Sequence, residues 1–329
     1  MIKKILLVIV FLIITLGAYF SIGSIKPAEN IAWGISFSPR YAESLGLDWQ
    51  ETYLAILNDL KVTHLRLSSY WNDVEKVPAQ RDYSELDFMI EEAQKRGQQI
   101  ILSLGRRQPR WPECHIPEWA AGLELADQNV AVLNFVEETV ERYKDVENIT
   151  MWQVENEYYI TWFGKCPTYE REFFDAELAL VRSLDDRPIL TTDSGELSTW
   201  IRASKSADVF GSTMYRKIHN AILGYFDYPI PPEYYKRHGD LVKLITGFDR
   251  QIVAELQMEP WAEKGLQNDS TETNFQSLSP EQFDKNFDYA RRSGMDEIYM
   301  WGAEWWYYMR QTRGIPDFWD KAKLIWEKP

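Results

Sequence analysis

Short apolar runs alternate with amphipathic stretches along almost the whole chain, and this alternation constrains the fold more than any other feature. The runs are "IAWGISFS" (31–38), "VTHLRLS" (62–68), "QIILSLG" (99–105), "ITMWQVE" (149–155), "PILTTD" (188–193), "DVFGSTMY" (208–215), "QIVAELQ" (251–257) and "EIYMWGAE" (297–304). Their β-branched and aromatic content reads as buried strands. The stretches between them read as helices. "YSELDFMIEEAQKRG" (83–97) sets Leu86, Met89, Ile90 and Ala93 on one face and closes at Gly97. "NVAVLNFVEETVERY" (129–143) and "SPEQFDKNFDYARRSG" (279–294) behave alike, the second opening on Ser279 as N-cap with Pro280 at the first helical position. Repeated strand–helix units predict an α/β fold, a single (β/α)8 TIM barrel over 31–329. A doubly wound sheet is the alternative, but no Gly-rich phosphate loop follows the first strand.

Ahead of the barrel, the run from Ile5 to Ile25 is apolar apart from Thr15, Ser21, Ser24 and glycines, and Lys3-Lys4 precede it. Residues 1–25 therefore read as a signal peptide or an N-terminal membrane anchor, with attachment through residues 5–25 in the uncleaved form. Either way the positive-inside rule puts the barrel outside the cytoplasm, secreted or tethered to the outer face of the cytoplasmic membrane. No cysteine follows the run, which argues against a lipoprotein. A net charge of −14 argues against nucleic acid as a partner, because phosphate binding needs a basic face. The 14 Trp, 18 Tyr and 15 Phe serve a large core, and beside acidic groups they also suit stacking on sugar rings.

In such a barrel, catalytic groups stand at the C-terminal ends of the strands. The strand ends here carry Arg66, followed by Tyr70 and Trp71, then Gly105-Arg106-Arg107 and Glu155-Asn156-Glu157. Further on they carry Asp193, Tyr215, Glu255, Trp301 and Glu304. This polar and aromatic rim suits a sugar better than a phosphate or a metal. Glycoside hydrolysis needs two carboxyl groups facing each other across the bond. Glu157 and Glu255 end the fourth and seventh strands, nearly opposite around the ring. Glu155 shares the side-chain parity of Glu157 along a strand and is the alternative acid.

The stretches "WQVENEYY", "IVAELQ" and "IYMWG" resemble the clan A glycoside hydrolases, the large retaining (β/α)8 group, with similarity to cellulase-like and β-galactosidase-like branches. "QVENEY" is particularly similar to the β-galactosidase branches. "YWNDVEKVPAQRDYSELDFMIEEAQKRGQQIILSLG" resembles their second-to-third unit, and "RWPECHIPEWA" the loop that follows. The resemblance implies Glu157 as acid/base, Asn156 as donor to the sugar 2-hydroxyl and Glu255 as nucleophile. It further implies that Arg66 holds Glu255 ionised through its positive charge, that Tyr215 hydrogen-bonds the nucleophile, and that Trp301 forms the floor under the reacting sugar. Trp71, Glu304, Trp305 and Trp306 are expected at the cleft wall, as are Glu259 and Trp261. The third strand departs from the pattern, offering Arg106-Arg107 where many members carry a histidine. A carbohydrate substrate is implied, with the sugar, the linkage and endo or exo action left open.

His64, His115, His219 and His238 show no metal-ligand spacing, and no nucleotide-binding fingerprint occurs. The expected chemistry uses neither metal nor cofactor. Cys114 and Cys166 fall in the loops after the third and fourth strands, neighbours at one rim. In an exported protein that placement predicts a disulfide, with two unrelated buried thiols as the alternative. For the whole chain, the alternative to a glycosidase is a non-catalytic, surface-attached carbohydrate-binding barrel. A metal-dependent barrel enzyme is a third class.

Overall fold

A computed structural model describes residues 11, 15, 17, 19, 20, 23–220, 222–261 and 265–327. The expected signal or anchor segment, 1–25, lies mostly outside the described residues. Among the described residues no helix is long and apolar enough to cross a membrane.

Among the described residues ten strands occur: β1 (Ala32–Ser36), β2 (His64–Ser68), β3 (Gln99–Leu104), β4 (Ile149–Val154), β5 (Ile189–Asp193), β6 (Val209–Met214), β7 (Lys217–Asn220), β8 (Gly224–Asp227), β9 (Arg250–Gln257) and β10 (Glu297–Trp301). All but β7 and β8 close into one parallel barrel, with β1 paired to β2 on one side and β10 on the other. The eight apolar runs are these eight barrel strands, so the (β/α)8 barrel is the fold and the doubly wound sheet is not. The remaining pair, β7 and β8, forms an antiparallel hairpin in the connection between β6 and β9.

Helices cover the barrel with their apolar faces inward. The helix Ser84–Gln94 buries Leu86, Met89, Ile90 and Ala93, the face its spacing predicts. In Pro280–Arg291, the Ser279 side chain accepts from the Gln282 backbone N–H and caps the first turn. Trp71 belongs to this outer packing and not to the cleft. It is fully buried, donates through Nε1 to Glu75 at 2.9 Å, and packs against Trp119 and Phe135.

The barrel interior is layered. Partners in a parallel register share a face, and Ile101, Met151, Leu190, Val209, Ile252 and Tyr299 form one buried cluster on the inward face. Nearer the C-terminal rim the inward positions turn polar, with Arg66 on β2, Gln153 on β4 and Thr192 on β5. Apolar groups plug the base, and the polar layer above them supports the site.

On β9 this inward face is reached through a bulge. Strict alternation from the inward Ile252 would aim Glu255 outward at the helices. The register shifts against both neighbours, pairing Ser212 with Val253 but Thr213 with Glu255, and Ile298 with Val253 but Met300 with Leu256. One extra residue at Ala254 therefore turns Glu255 into the barrel. The Ala254 carbonyl released by the bulge accepts from Arg66 Nη1 at 3.3 Å.

Candidate active site

Arg66 organises the floor of the site. It is 1% exposed, and its planar fork reaches at least four groups at once. Nε donates to Gln153 Oε1 at 2.7 Å, Nη2 to Asn156 Oδ1 at 2.8 Å, and Nη1 to Glu255 Oε1 at 2.9 Å and to the Ala254 carbonyl. Glu255, 4% exposed, thereby gains a buried countercharge. Its other oxygen, Oε2, accepts from the Tyr215 hydroxyl at 3.2 Å. Burial and the charge of Glu255 push the Tyr215 phenol well up, so it remains a donor.

Glu157 enters the same cleft from β4. The strand stops at Val154, and both Glu155 and Glu157 take left-handed backbone, with φ of 56° and 44°. Strand parity no longer applies across them, and the two carboxyl groups part company. Glu155 turns away from the cleft and is fully buried, accepting from the backbone N–H groups of Arg106 at 3.1 Å and Arg107 at 2.6 Å. Glu157 lines the cleft, with its backbone N–H donated to Thr192 Oγ1 at 2.9 Å. Burial drives the Glu157 carboxyl well above the usual carboxylate range, and the charges of Glu255, Glu113 and Asp193 add to the effect. Asp193 itself, at the end of β5, is raised to about 6 by burial.

The cleft has a volume of about 680 Å³. Glu157, Glu255, Asn156, Tyr215 and Trp301 all line it, as do Glu259 and Trp261. Trp301 is 9% exposed and carries the Arg110 guanidinium 3.7 Å from its ring centre. Arg110 also stacks on Tyr41 and forms ion pairs with Glu259 and Glu304.

Two expectations are corrected here. Glu304 does not reach the cleft, because β10 ends at Trp301 and Gly302, with φ of 119°, turns the chain into the helix Ala303–Gln311. Fully buried, the Glu304 carboxyl accepts from the Ser38 backbone N–H at 2.7 Å and braces Arg110, and burial raises it to about 7. Trp305 and Trp306 are likewise buried core, Trp306 donating to the Met258 carbonyl at 2.7 Å. Nor do Arg106 and Arg107 face a ligand. Arg106 stacks on Phe173 and donates to Gln128 and Asn129, while Arg107 donates to the carbonyls of Ile160 and Phe163.

The loop after β3 supplies instead what sequence reasoning missed: Arg110, Trp111, Glu113 and His115 all line the cleft. His115 Nε2 sits 3.1 Å from the Arg110 carbonyl and so donates to it, leaving Nδ1 to accept from Arg40 at 2.8 Å. Burial and Arg40 lower this imidazole to about 3, so it is neutral. The loop is tied to the one after β4 by the Cys114–Cys166 disulfide, as the cysteine positions predict. Adjacency to Cys114 is the one sequence signal that could have pointed to Glu113. Among the described residues no cluster of His, Cys, Asp and Glu is arranged to hold a metal ion.

No family model matches the sequence, and no curated protein matches it. In shape the chain is similar to xylanase 10B from Thermotoga maritima, at 13% identity and a TM-score of 0.59, over 90% of this chain and 95% of that one. It is similar to xylanase 10B from Thermotoga petrophila RKU-1, at 13% identity and a TM-score of 0.57, over 85% and 87% of the two chains. It also matches the β-galactosidase from the psychrophilic Marinomonas ef1, at 12% identity and a TM-score of 0.54, over 82% of this chain but only 54% of that enzyme. At such identities the likeness establishes the fold, which is the barrel of the group the motifs resemble.

Proposed function

We propose that this protein is an exported retaining glycoside hydrolase that cleaves β-linked glycosides or polysaccharides, with Glu157 as acid/base and Glu255 as nucleophile. The observation that carries this reading is the pairing of two unlike carboxyl groups in one cleft. Glu255 has the Arg66 countercharge and the Tyr215 hydroxyl, whereas burial and neighbouring charge favour the protonated form of Glu157. Environments that push two carboxyl groups apart assign acid and base between them.

In the first step Glu255 attacks the anomeric carbon as the bond from that carbon to the leaving oxygen breaks. Glu157 gives its proton to that oxygen. The product is a glycosyl ester on Glu255 and a free alcohol. Water then enters, Glu157 removes its proton, and the water oxygen displaces Glu255 from the anomeric carbon. Both carboxyl groups return to their starting states, and two inversions give net retention. Asn156, oriented by Arg66, offers its amide to the 2-hydroxyl, and Trp301 supports the ring.

The apolar leader supports export, as does the disulfide, since such bonds persist in oxidising compartments. The names of the fold neighbours make β-xylosides, β-galactosides and β-linked polysaccharides the first substrates to try. The test is turnover of a panel of aryl β-glycosides and polysaccharides, with proton NMR of the earliest product. Release of the β-anomer is the expected result. Binding without turnover would replace this reading with a carbohydrate-binding barrel, and an inverted first product would remove the double displacement.

A further inference from the structure

A further carboxyl group, that of Glu113, faces the cleft and has no part in the chemistry above. It is 5% exposed, and among the described residues no lysine or arginine pairs with it. Burial, with the charge of Glu255 adding to it, raises this carboxyl to about 8. Among the described residues its side chain has one hydrogen bond, a long one, 3.4 Å from Asn156 Nδ2 to Glu113 Oε2. Its position is nonetheless firmly set. The Glu113 backbone N–H donates to the Arg110 carbonyl and its carbonyl accepts from Gln108, both at 2.8 Å, and the disulfide follows at Cys114. From the other loop, Gly164 lies so close that a Cβ there would come within 2.8 Å of the Glu113 Cβ.

The Asn156 amide is equally fixed. Its oxygen receives three donors, Arg66 Nη2 at 2.8 Å, Thr192 Oγ1 at 3.1 Å and Gln153 Nε2 at 3.3 Å. The amide therefore cannot flip, and its NH2 must face Glu113 and the cleft. A separation of 3.4 Å is too long for a strong bond to a carboxyl oxygen. It is, however, the base of a triangle whose apex, a hydroxyl oxygen about 2.8 Å from both atoms, satisfies donor and acceptor together.

We propose that Glu113 is a specificity residue that reads the C2 position of the reacting sugar jointly with Asn156: the 2-hydroxyl accepts from Asn156 Nδ2 and donates to Glu113 Oε2. This rests on the glycosidase reading, which places Asn156 at the sugar 2-position. The pair selects a free hydroxyl at C2. A 2-deoxy sugar leaves both buried groups without partners, which is the costly case.

The test is a cycle between the protein and the sugar. The ratio of kcat/KM for 4-nitrophenyl β-D-galactoside, glucoside and xyloside to that for their 2-deoxy counterparts is measured in wild type, Glu113→Ala and Glu113→Gln. The ratio is expected to fall about tenfold or more in Glu113→Ala, with Glu113→Gln between the two because its amide oxygen still accepts. Ratios against 3-deoxy and 4-deoxy sugars are expected to stay at the wild-type value. An unchanged 2-deoxy ratio in Glu113→Ala, or an equal change at C3 or C4, overturns the proposal. The same sugars are titrated calorimetrically into Glu157→Gln protein with and without Glu113→Ala. A Glu113-dependent preference for the 2-hydroxyl in binding, with no turnover by wild type, upholds the assignment while defeating the glycosidase reading. No binding of any of these glycosides overturns both.

Discussion

Replacing Arg66 with methionine removes a cation on which four neighbouring groups converge, and the structure sets the size of the effect. Glu255 loses its countercharge while remaining buried, and the Ala254 carbonyl and the Gln153 oxygen lose donors. Breaking a buried ion pair from one side costs about 3–5 kcal/mol, chiefly because a charge is left uncompensated. Orphaned buried acceptors add about 1–3 kcal/mol each when nothing rearranges. A domain of this kind is stable by about 5–15 kcal/mol, so Arg66→Met should bring the barrel close to its threshold. The assay is equilibrium unfolding in urea at neutral pH, followed by tryptophan fluorescence, for wild type, Arg66→Met, Glu255→Gln and the double variant. Arg66→Met is expected to lose at least about 3–5 kcal/mol, and more where the two acceptors stay orphaned. Adding Glu255→Gln removes the uncompensated charge and should recover about 2 kcal/mol or more of that loss. Arg66→Lys should fall between, since an ammonium cannot hold Gln153, Asn156 and Glu255 in one plane. An Arg66→Met protein within about 0.5 kcal/mol of wild type, or a double variant no more stable than Arg66→Met, would refute the reasoning.

Activity should follow a bell-shaped pH profile whose alkaline limb reports Glu157. Because the folded environment raises this carboxyl, activity persists above the ordinary carboxylate range and falls as Glu157 loses its proton; kcat/KM against pH for Glu157→Gln should lack that limb, while 2,4-dinitrophenyl glycosides keep a fast first step. Burial also raises the carboxyl groups of Glu155 and of its neighbour Glu177, in the helix Arg171–Leu184, so their contribution to stability is full below the ordinary glutamate range and lost as pH rises towards their folded values. Scanning calorimetry of Glu177→Gln between about pH 5 and pH 8 should show a gain in Tm over wild type that grows with pH. Reducing the Cys114–Cys166 bond frees a loop of sequence separation 52, worth roughly 4 kcal/mol by loop entropy. Urea midpoints with and without reductant measure that loss, and KM should rise more than kcat falls because the loop carrying Glu113 loosens.

The barrel was legible because its strands are apolar runs with turn residues between them, and each run lies at the expected place. The overshoot at the eighth, read to residue 304 but ending at Trp301, comes from Gly302, which breaks the strand inside a sequence that stays apolar and aromatic. Strand ends named the rim residues but not where their side chains point. Trp71 and Glu304 sit at the right height and turn into the core, and Glu155 shows that parity fails once the backbone goes left-handed. Glu255 faces inward only through the bulge at Ala254, which no spacing rule in "IVAELQ" announces. Arg110 and Glu113 escaped notice because their loop has no periodicity, and its shape is set by long-range bonds and by a disulfide to another loop.

The central claim, that Glu255 attacks a sugar and Glu157 serves it as acid/base, is tested most directly by trapping. A 2,4-dinitrophenyl 2-deoxy-2-fluoro-β-glycoside of a sugar the protein turns over forms its glycosyl ester quickly and hydrolyses it slowly, because fluorine withdraws charge from both transition states while the leaving group rescues only the first. Intact mass spectrometry should show a single fluoroglycosyl group per chain, and peptide mapping should place it on Glu255. Loss of the adduct in Glu255→Gln, with dinitrophenol still released as a burst in Glu157→Gln, would complete the assignment. No adduct with any sugar that is turned over, or a label on Glu113, Glu155 or Glu157, would contradict it.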